Sequence, residues 1–159
     1  MDELLEWVLN NRGSLVIACI GNELRCDDIV GLYFCRELLA KCDSKIKSIE
    51  CPGGLELCTH RLSEMRPARL LIVDGVVAGL EPGSVVFTCN IDDIASFEPI
   101  TTHYLPLDTV VRYVKETITS IEEICLLGIQ VSCLDLAGEP NRRVIEAARR
   151  IVEIICSEV

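Results

Sequence analysis

The sequence predicts an α/β fold, a three-layer α/β/α sandwich around a mostly parallel central sheet of about five strands, one of them antiparallel. Three observations predict it. The apolar runs Leu15-Val16-Ile17-Ala18-Cys19 and Leu70-Leu71-Ile72-Val73 have the length and side-chain types of buried strands. Segments with apolar residues at helical spacing lie between such runs. Strands alternating with helices imply parallel pairing, because parallel neighbours need a long crossover.

Each element follows from local pattern. Leu4, Leu5, Val8 and Leu9 recur at helical spacing and stop at Asn10-Asn11-Arg12-Gly13, so residues 2–12 read as a short amphipathic helix. A strand over 14–20 follows. The spacing of Leu32, Tyr33, Cys35, Leu38 and Leu39 predicts a helix over 30–41, with Asp27 or Asp28 as its cap. Residues 45–51 alternate as a half-buried strand and break at Pro52-Gly53-Gly54. A helix through Leu55, Cys58, Leu62 and Met65 then leads to a strand over 68–74.

The alternation fails at the next step. Only residues 75–83, with Pro82-Gly83 as a turn, separate Asp74 from the strand over 84–89, so no crossover helix fits and an antiparallel strand is expected. A helix beginning between His103 and Pro106 carries Leu107, Val110, Val111 and Val114 on one face. Residues 122–130 form the last strand. Pro140 opens a closing helix striped by Val144, Ile145, Ala148, Ile151, Val152 and Ile155.

A length of 159 residues suits one domain, 1–159, with a real hydrophobic core. Half the residues are apolar, yet no apolar run approaches the ~20 residues of a membrane span. The acidic start Met1-Asp2-Glu3 lacks the basic opening of a secretory signal, so a cytoplasmic address and no membrane partner are expected. A net charge of −10 argues against nucleic acid, whose binding depends on Lys and Arg releasing counterions. The same charge keeps an apolar chain soluble and would speed encounter with a basic protein partner. The ten cysteines contain no Cys-x-x-Cys pair, and without a signal peptide they read as ordinary thiols in a reducing compartment. Intracellular disulfides in a heat-loving source would be the exception.

The chemistry concentrates at Gly21-Asn22-Glu23-Leu24-Arg25-Cys26-Asp27-Asp28, where a strand ends and delivers adjacent carboxylates to a loop mouth. Asp74 closes another strand, and His103 stands behind Thr101-Thr102 at a loop-to-helix junction. Asp28 and Asp74 belong at the carboxyl edge of the sheet, where open α/β folds place their sites. An antiparallel strand over 84–89 ends at the opposite edge, roughly 20 Å away at ~3.3 Å per residue. The twelve residues 91–102 can span about 40 Å, enough to bring His103 back. Two carboxylates and one imidazole then make a site with open positions, suited to a divalent ion that still holds water or substrate. Each residue also has a structural explanation: a helix cap for Asp28, a turn former for Asp74 and a surface group for His103. His60 lies within a helix and has no carboxylate-bearing loop beside it.

These residues resemble the hydrogenase maturation endopeptidases, which trim the C-terminal tail of the large subunit of nickel–iron hydrogenases. Residues 21–31 resemble the family's opening Gly-Asn-x-Leu-x-x-Asp-(Asp/Glu) signature with its trailing glycine, and Cys51-Pro52-Gly53-Gly54-Leu55 its second glycine-bearing loop. Leu70 to Gly75 followed by Pro82-Gly83-Ser84, Thr102-His103-Tyr104-Leu105-Pro106-Leu107, and Leu127-Gly128-Ile129-Gln130 are similar to its remaining motifs. Ile29 departs from the glycine of many relatives, and Gly75 from their frequent alanine.

The resemblance implies that Asp28, Asp74 and His103 are both the metal ligands and the catalytic groups. It implies that the metal is nickel supplied by the hydrogenase precursor, with cadmium or zinc as a surrogate in crystals. Gly53 and Gly54 would let a substrate backbone approach closely. The expected function is removal of the C-terminal extension of a large-subunit precursor by a monomeric, nickel-dependent endopeptidase. A non-catalytic nickel checkpoint that binds the same precursor would use the same ligands. A flavodoxin-like cofactor binder is disfavoured, since no Gly-x-Gly-x-x-Gly follows the first strand.

Overall fold

The computed structural model describes residues 1–10, 12–42, 45–98, 100 and 105–159. In chain order the elements are α1 (Asp2–Leu9), β1 (Leu15–Gly21), α2 (Val30–Lys41), β2 (Lys47–Pro52), α3 (Thr59–Met65), β3 (Arg69–Val76), β4 (Val85–Thr88), α4 (Ile91–Ala95), α5 (Leu107–Thr117), β5 (Glu123–Gln130) and α6 (Arg142–Glu158). Short 3-10 turns precede α2, at Cys26–Ile29, and α3, at Leu55–Cys58.

The five strands form one sheet in the order β2-β1-β3-β5-β4. All neighbours are parallel except β4, which runs antiparallel to β5. This is the expected sandwich. The period of two along the strands sends alternate residues into opposite layers. Ile17, Cys19, Leu71, Val73, Cys125, Leu127 and Ile129 pack against α1, α2 and α6. Val16, Ala18, Ile20, Leu70, Ile72, Ile124 and Leu126 pack against α3, α4 and α5. Both layers are fully buried, with Phe34 and Ile155 in the first and Leu62 and Val114 in the second at 0% exposure. Each such side chain contributes about 1.5–3 kcal/mol of transfer free energy.

Several local expectations need correction. The residue before α2 is Ile29, with no side-chain cap, so neither Asp27 nor Asp28 caps that helix. α6 opens at Arg142 rather than at Pro140, because the Asn141 side chain accepts the Arg143 N–H and sets the boundary. β3 continues two residues past Asp74.

The cysteines depart furthest from expectation. Four disulfides join Cys26 to Cys133, Cys42 to Cys156, Cys51 to Cys58 and Cys89 to Cys125, while Cys19 and Cys35 are free and buried. Three of these pairs are 36 to 114 residues apart, so tertiary packing rather than spacing brings them together. Among the described residues, no helix is long and apolar enough to cross a membrane.

Candidate active site

β1 and β3 are parallel and level: Cys19 lies opposite Val73, so both strands finish at the same edge. Beyond β1 the chain turns tightly. Asn22 N–H donates to the Asp28 carbonyl at 2.9 Å and Asp28 N–H to the Arg25 carbonyl at 3.0 Å, closing a loop whose last residues form the 3-10 turn. Two glycines permit this closure by the space they leave. A Cβ on Gly21 would lie 2.4 Å from the Asp28 carbonyl oxygen. One on Gly31 would lie 1.9 Å from the Ile20 carbonyl oxygen and 2.7 Å from that of Val73. The first turn of α2 therefore rests directly on the ends of β1 and β3. Asp28 is thereby set beside Asp74, with the positive end of α2 behind it.

Both carboxylates are buried, Asp28 at 0% and Asp74 at 2% exposure. Burial raises the pKa of Asp74 well above the ordinary aspartate range, and the charge of Asp28 raises it further; the Gly75 N–H opposes the shift. Two carboxylates converging in a water-poor edge disfavour their joint ionisation, and a divalent cation relieves that conflict. The oxygen donors also suit such an ion. The donor set therefore fits a metal.

The adjacent acid does different work. Asp27 is fully buried, but its carboxylate faces the loop after β5. It accepts from Ser132 N–H at 2.7 Å, Ser132 O–H at 2.9 Å, Cys133 N–H at 2.9 Å and Asn141 N–H. The Cys26–Cys133 disulfide ties the same two loops. Asp27 thus anchors the turn that carries Asp28. The sequence held its neighbours in plain view but no signal that Ser132 and Asn141, more than 100 positions away, would supply the donors.

Gly53 and Gly54 lie at the same edge, with φ of 87° and 145°, backbone that side-chain-bearing residues rarely adopt. Gly53 N–H donates to the Gly21 carbonyl at 3.0 Å, joining the second loop to the acidic turn. The space a side chain at Gly54 would need is taken by the Glu56 carboxylate, and Leu57 lies over Gly53.

His103 lies outside the described residues. Of the described residues before it, Glu98 and Ile100 lie against the end of β3. Glu98 N–H donates to the Val77 carbonyl at 3.1 Å in an antiparallel bridge. Ile100 then packs toward Gly75, its Cδ1 3.7 Å from where a Cβ would stand. The short helix α4 occupies part of the segment that sequence reasoning treated only as a span. One further group of ligating side chains occurs among the described residues, Cys89, Glu123 and Cys125, but its two sulfurs are bonded to each other.

Comparison with known proteins finds relatives in both sequence and fold. The hydrogenase maturation protease (HycI) family model matches residues 53–158. The hydrogenase 3 maturation protease of Escherichia coli K12 is 35% identical over 115 residues, covering 72% of this chain and 71% of that protein. The crystal structure of the NiFe hydrogenase maturation protease HycI from Thermococcus kodakarensis KOD1 superposes with a TM-score of 0.81 at 29% identity, covering 97% of both chains. The solution structure of the Escherichia coli endopeptidase HycI gives a TM-score of 0.79 at 28% identity, covering 91% of this chain and 90% of that one.

Proposed function

Because this chain belongs to the hydrogenase maturation protease family, we propose that it removes the C-terminal extension of a nickel–iron hydrogenase large-subunit precursor. In this reading the nickel already seated in the precursor is part of the substrate, and Asp28, Asp74 and His103 are the groups that engage it. The single observation that carries the reading is the buried convergence of Asp28 and Asp74 at the carboxyl edge. There the charge of Asp28 adds to burial in disfavouring ionisation of Asp74, and oxygen donors so placed suit a divalent cation.

The chain before His103 supports its inclusion. Ile100 packs toward Gly75, the residue after Asp74, and three further residues of chain reach at most about 11 Å. A divalent ion bound by such a donor set supplies Lewis-acid polarisation of the scissile carbonyl without a covalent intermediate. The protein's own residues would orient the ion and restrict water around it. Asp27 holds the ligand turn against the loop after β5. Gly53, bonded to Gly21, and Gly54 would border the path of the substrate backbone. The protein would work on the precursor as a monomer in the cytoplasm.

The test is mass spectrometry of precursor incubated with the protein, with and without nickel. A shortened product is expected only from nickel-loaded precursor, and is expected to be lost in Asp28→Asn, Asp74→Asn and His103→Gln. Binding without shortening would favour the checkpoint reading. Full cleavage by all three folded variants would remove the site assignment.

A further inference from the structure

Three loops at the carboxyl edge each expose one leucine at its tip: Leu24 after β1 at 70%, Leu57 after β2 at 63% and Leu136 after β5 at 68%. Single exposed leucines are ordinary, but these three sit on loops bonded to one another. Ala137 N–H donates to the Leu24 carbonyl at 2.9 Å, Arg25 bridges Leu136, and Gly53 N–H reaches the Gly21 carbonyl. The Cys26–Cys133 disulfide and the Asp27 bonds fix the loops that carry Leu24 and Leu136. The leucines are therefore displayed on mutually bonded loops at the edge that carries the acid pair, and none of them packs in the two core layers.

The charge on the same loops is one-sided. Over residues 22–29, 52–58 and 131–141 there are six acids, namely Glu23, Asp27, Asp28, Glu56, Asp135 and Glu139, and one base, Arg25. Arg25 is already committed, donating to the Leu134 carbonyl at 3.3 Å. One carboxylate oxygen of Glu56 is shielded from water and has no hydrogen-bond donor among the described residues. Asp135 and Glu139 are exposed. Glu23 is paired with Arg36, and Asp27 and Asp28 are buried, so the carboxylates exposed beside the leucines are those of Asp135 and Glu139. An apolar surface with these acids beside it matches a partner whose aliphatic side chains are flanked by Lys or Arg.

We propose that Leu24, Leu57 and Leu136 form the docking patch for the precursor, which seats there through an aliphatic segment flanked by basic side chains before its tail reaches the acid pair. The proposal rests on the processing reading and adds a surface that acts through affinity rather than through the chemical step. Such a patch sets KM and the dissociation constant while leaving kcat alone.

The experiment compares Leu24→Ser/Leu57→Ser/Leu136→Ser, Asp135→Asn/Glu139→Gln and the control Leu39→Ser, a leucine 59% exposed on α2. Processing of nickel-loaded precursor gives KM and kcat. Binding to the same precursor in an Asp74→Asn background, at two salt concentrations, gives the dissociation constant. The leucine triple is expected to raise KM and the dissociation constant about tenfold or more, as loss of a small apolar hot spot does, with kcat little changed. The acid double should flatten the salt dependence, methionine at the three positions should restore binding, and Leu39→Ser should change nothing.

Unchanged binding in the leucine triple overturns the patch while leaving the processing reading intact. So does an oligomer of the wild type that the triple converts to monomer, since a second copy would then be the occupant. If the wild type does not cleave, the processing reading falls, and the binding measurement still decides the patch. Absence of any binding overturns it.

Discussion

At the residue scale the decisive group is Asp74. Burial, and then the charge of Asp28, lift its pKa well above the ordinary aspartate range, so the folded chain holds this proton to higher pH than the unfolded chain does. As pH rises from the ordinary range toward the raised value, the folded form binds more protons than the unfolded one, and stability of the metal-free protein falls through that window. Below the ordinary range the effect is fully favourable. A cation competes with the same proton, so its affinity should rise with pH across the same window, by up to about tenfold per unit for one displaced proton. Calorimetry with zinc as the probe, in buffers of different ionisation heat, should record release of about one proton, and Asp74→Asn should abolish it. Affinity independent of pH would show that Asp74 is not a ligand. Asp27, one residue from Asp28, is held by four donors on the loop after β5.

At the element scale the site depends on how closely α2 approaches the sheet. A methyl group on Gly31 would strike two carbonyl oxygens, and neither is a side chain that can rotate away. Gly31→Ala must therefore lift the start of α2 off β1 and β3 and carry the contiguous Asp28 turn with it. The expected cost is toward the upper end of the 1–3 kcal/mol of overpacking, read as a lower melting temperature by circular dichroism together with weakened zinc binding. A variant as stable and as metal-competent as the wild type would contradict that account.

Much of this scale was legible from local pattern. The bounds of α2 were read correctly from the spacing of Leu32, Cys35 and Leu38, and the antiparallel β4 from the short connection after Asp74. Capping was not legible, because it is a competition among donors near in space. Asp27 lies next to the start of α2, yet the N–H groups of Ser132, Cys133 and Asn141 reach it first. α4 was missed because five residues are too few to display a helical period.

At the scale of the whole molecule, the disulfides close the fold in a way no spacing rule could reveal. Ten cysteines admit many pairings, and only the folded arrangement selects Cys26 with Cys133 and Cys42 with Cys156, across 107 and 114 residues. The first joins the two loops that hold the acidic turn, and the second joins α6 to the residue that ends α2. Bridges of this kind typically contribute about 2–4 kcal/mol each, chiefly by restricting the unfolded chain in the entropic account. For a chain of this size about 2–4 °C of melting temperature accompanies each kcal/mol. Cys42→Ser/Cys156→Ser should therefore lower the melting temperature by about 4–16 °C without touching the site, and full reduction of all four bridges should lower it further. Cys26→Ser/Cys133→Ser should additionally weaken zinc binding, because it frees one of the two ties on the ligand turn while leaving the Asp27 bonds. Thiol titration of unfolded, unreduced protein should find two free groups, Cys19 and Cys35. Ten would mean that the chain works fully reduced and that Asp27 alone holds the turn.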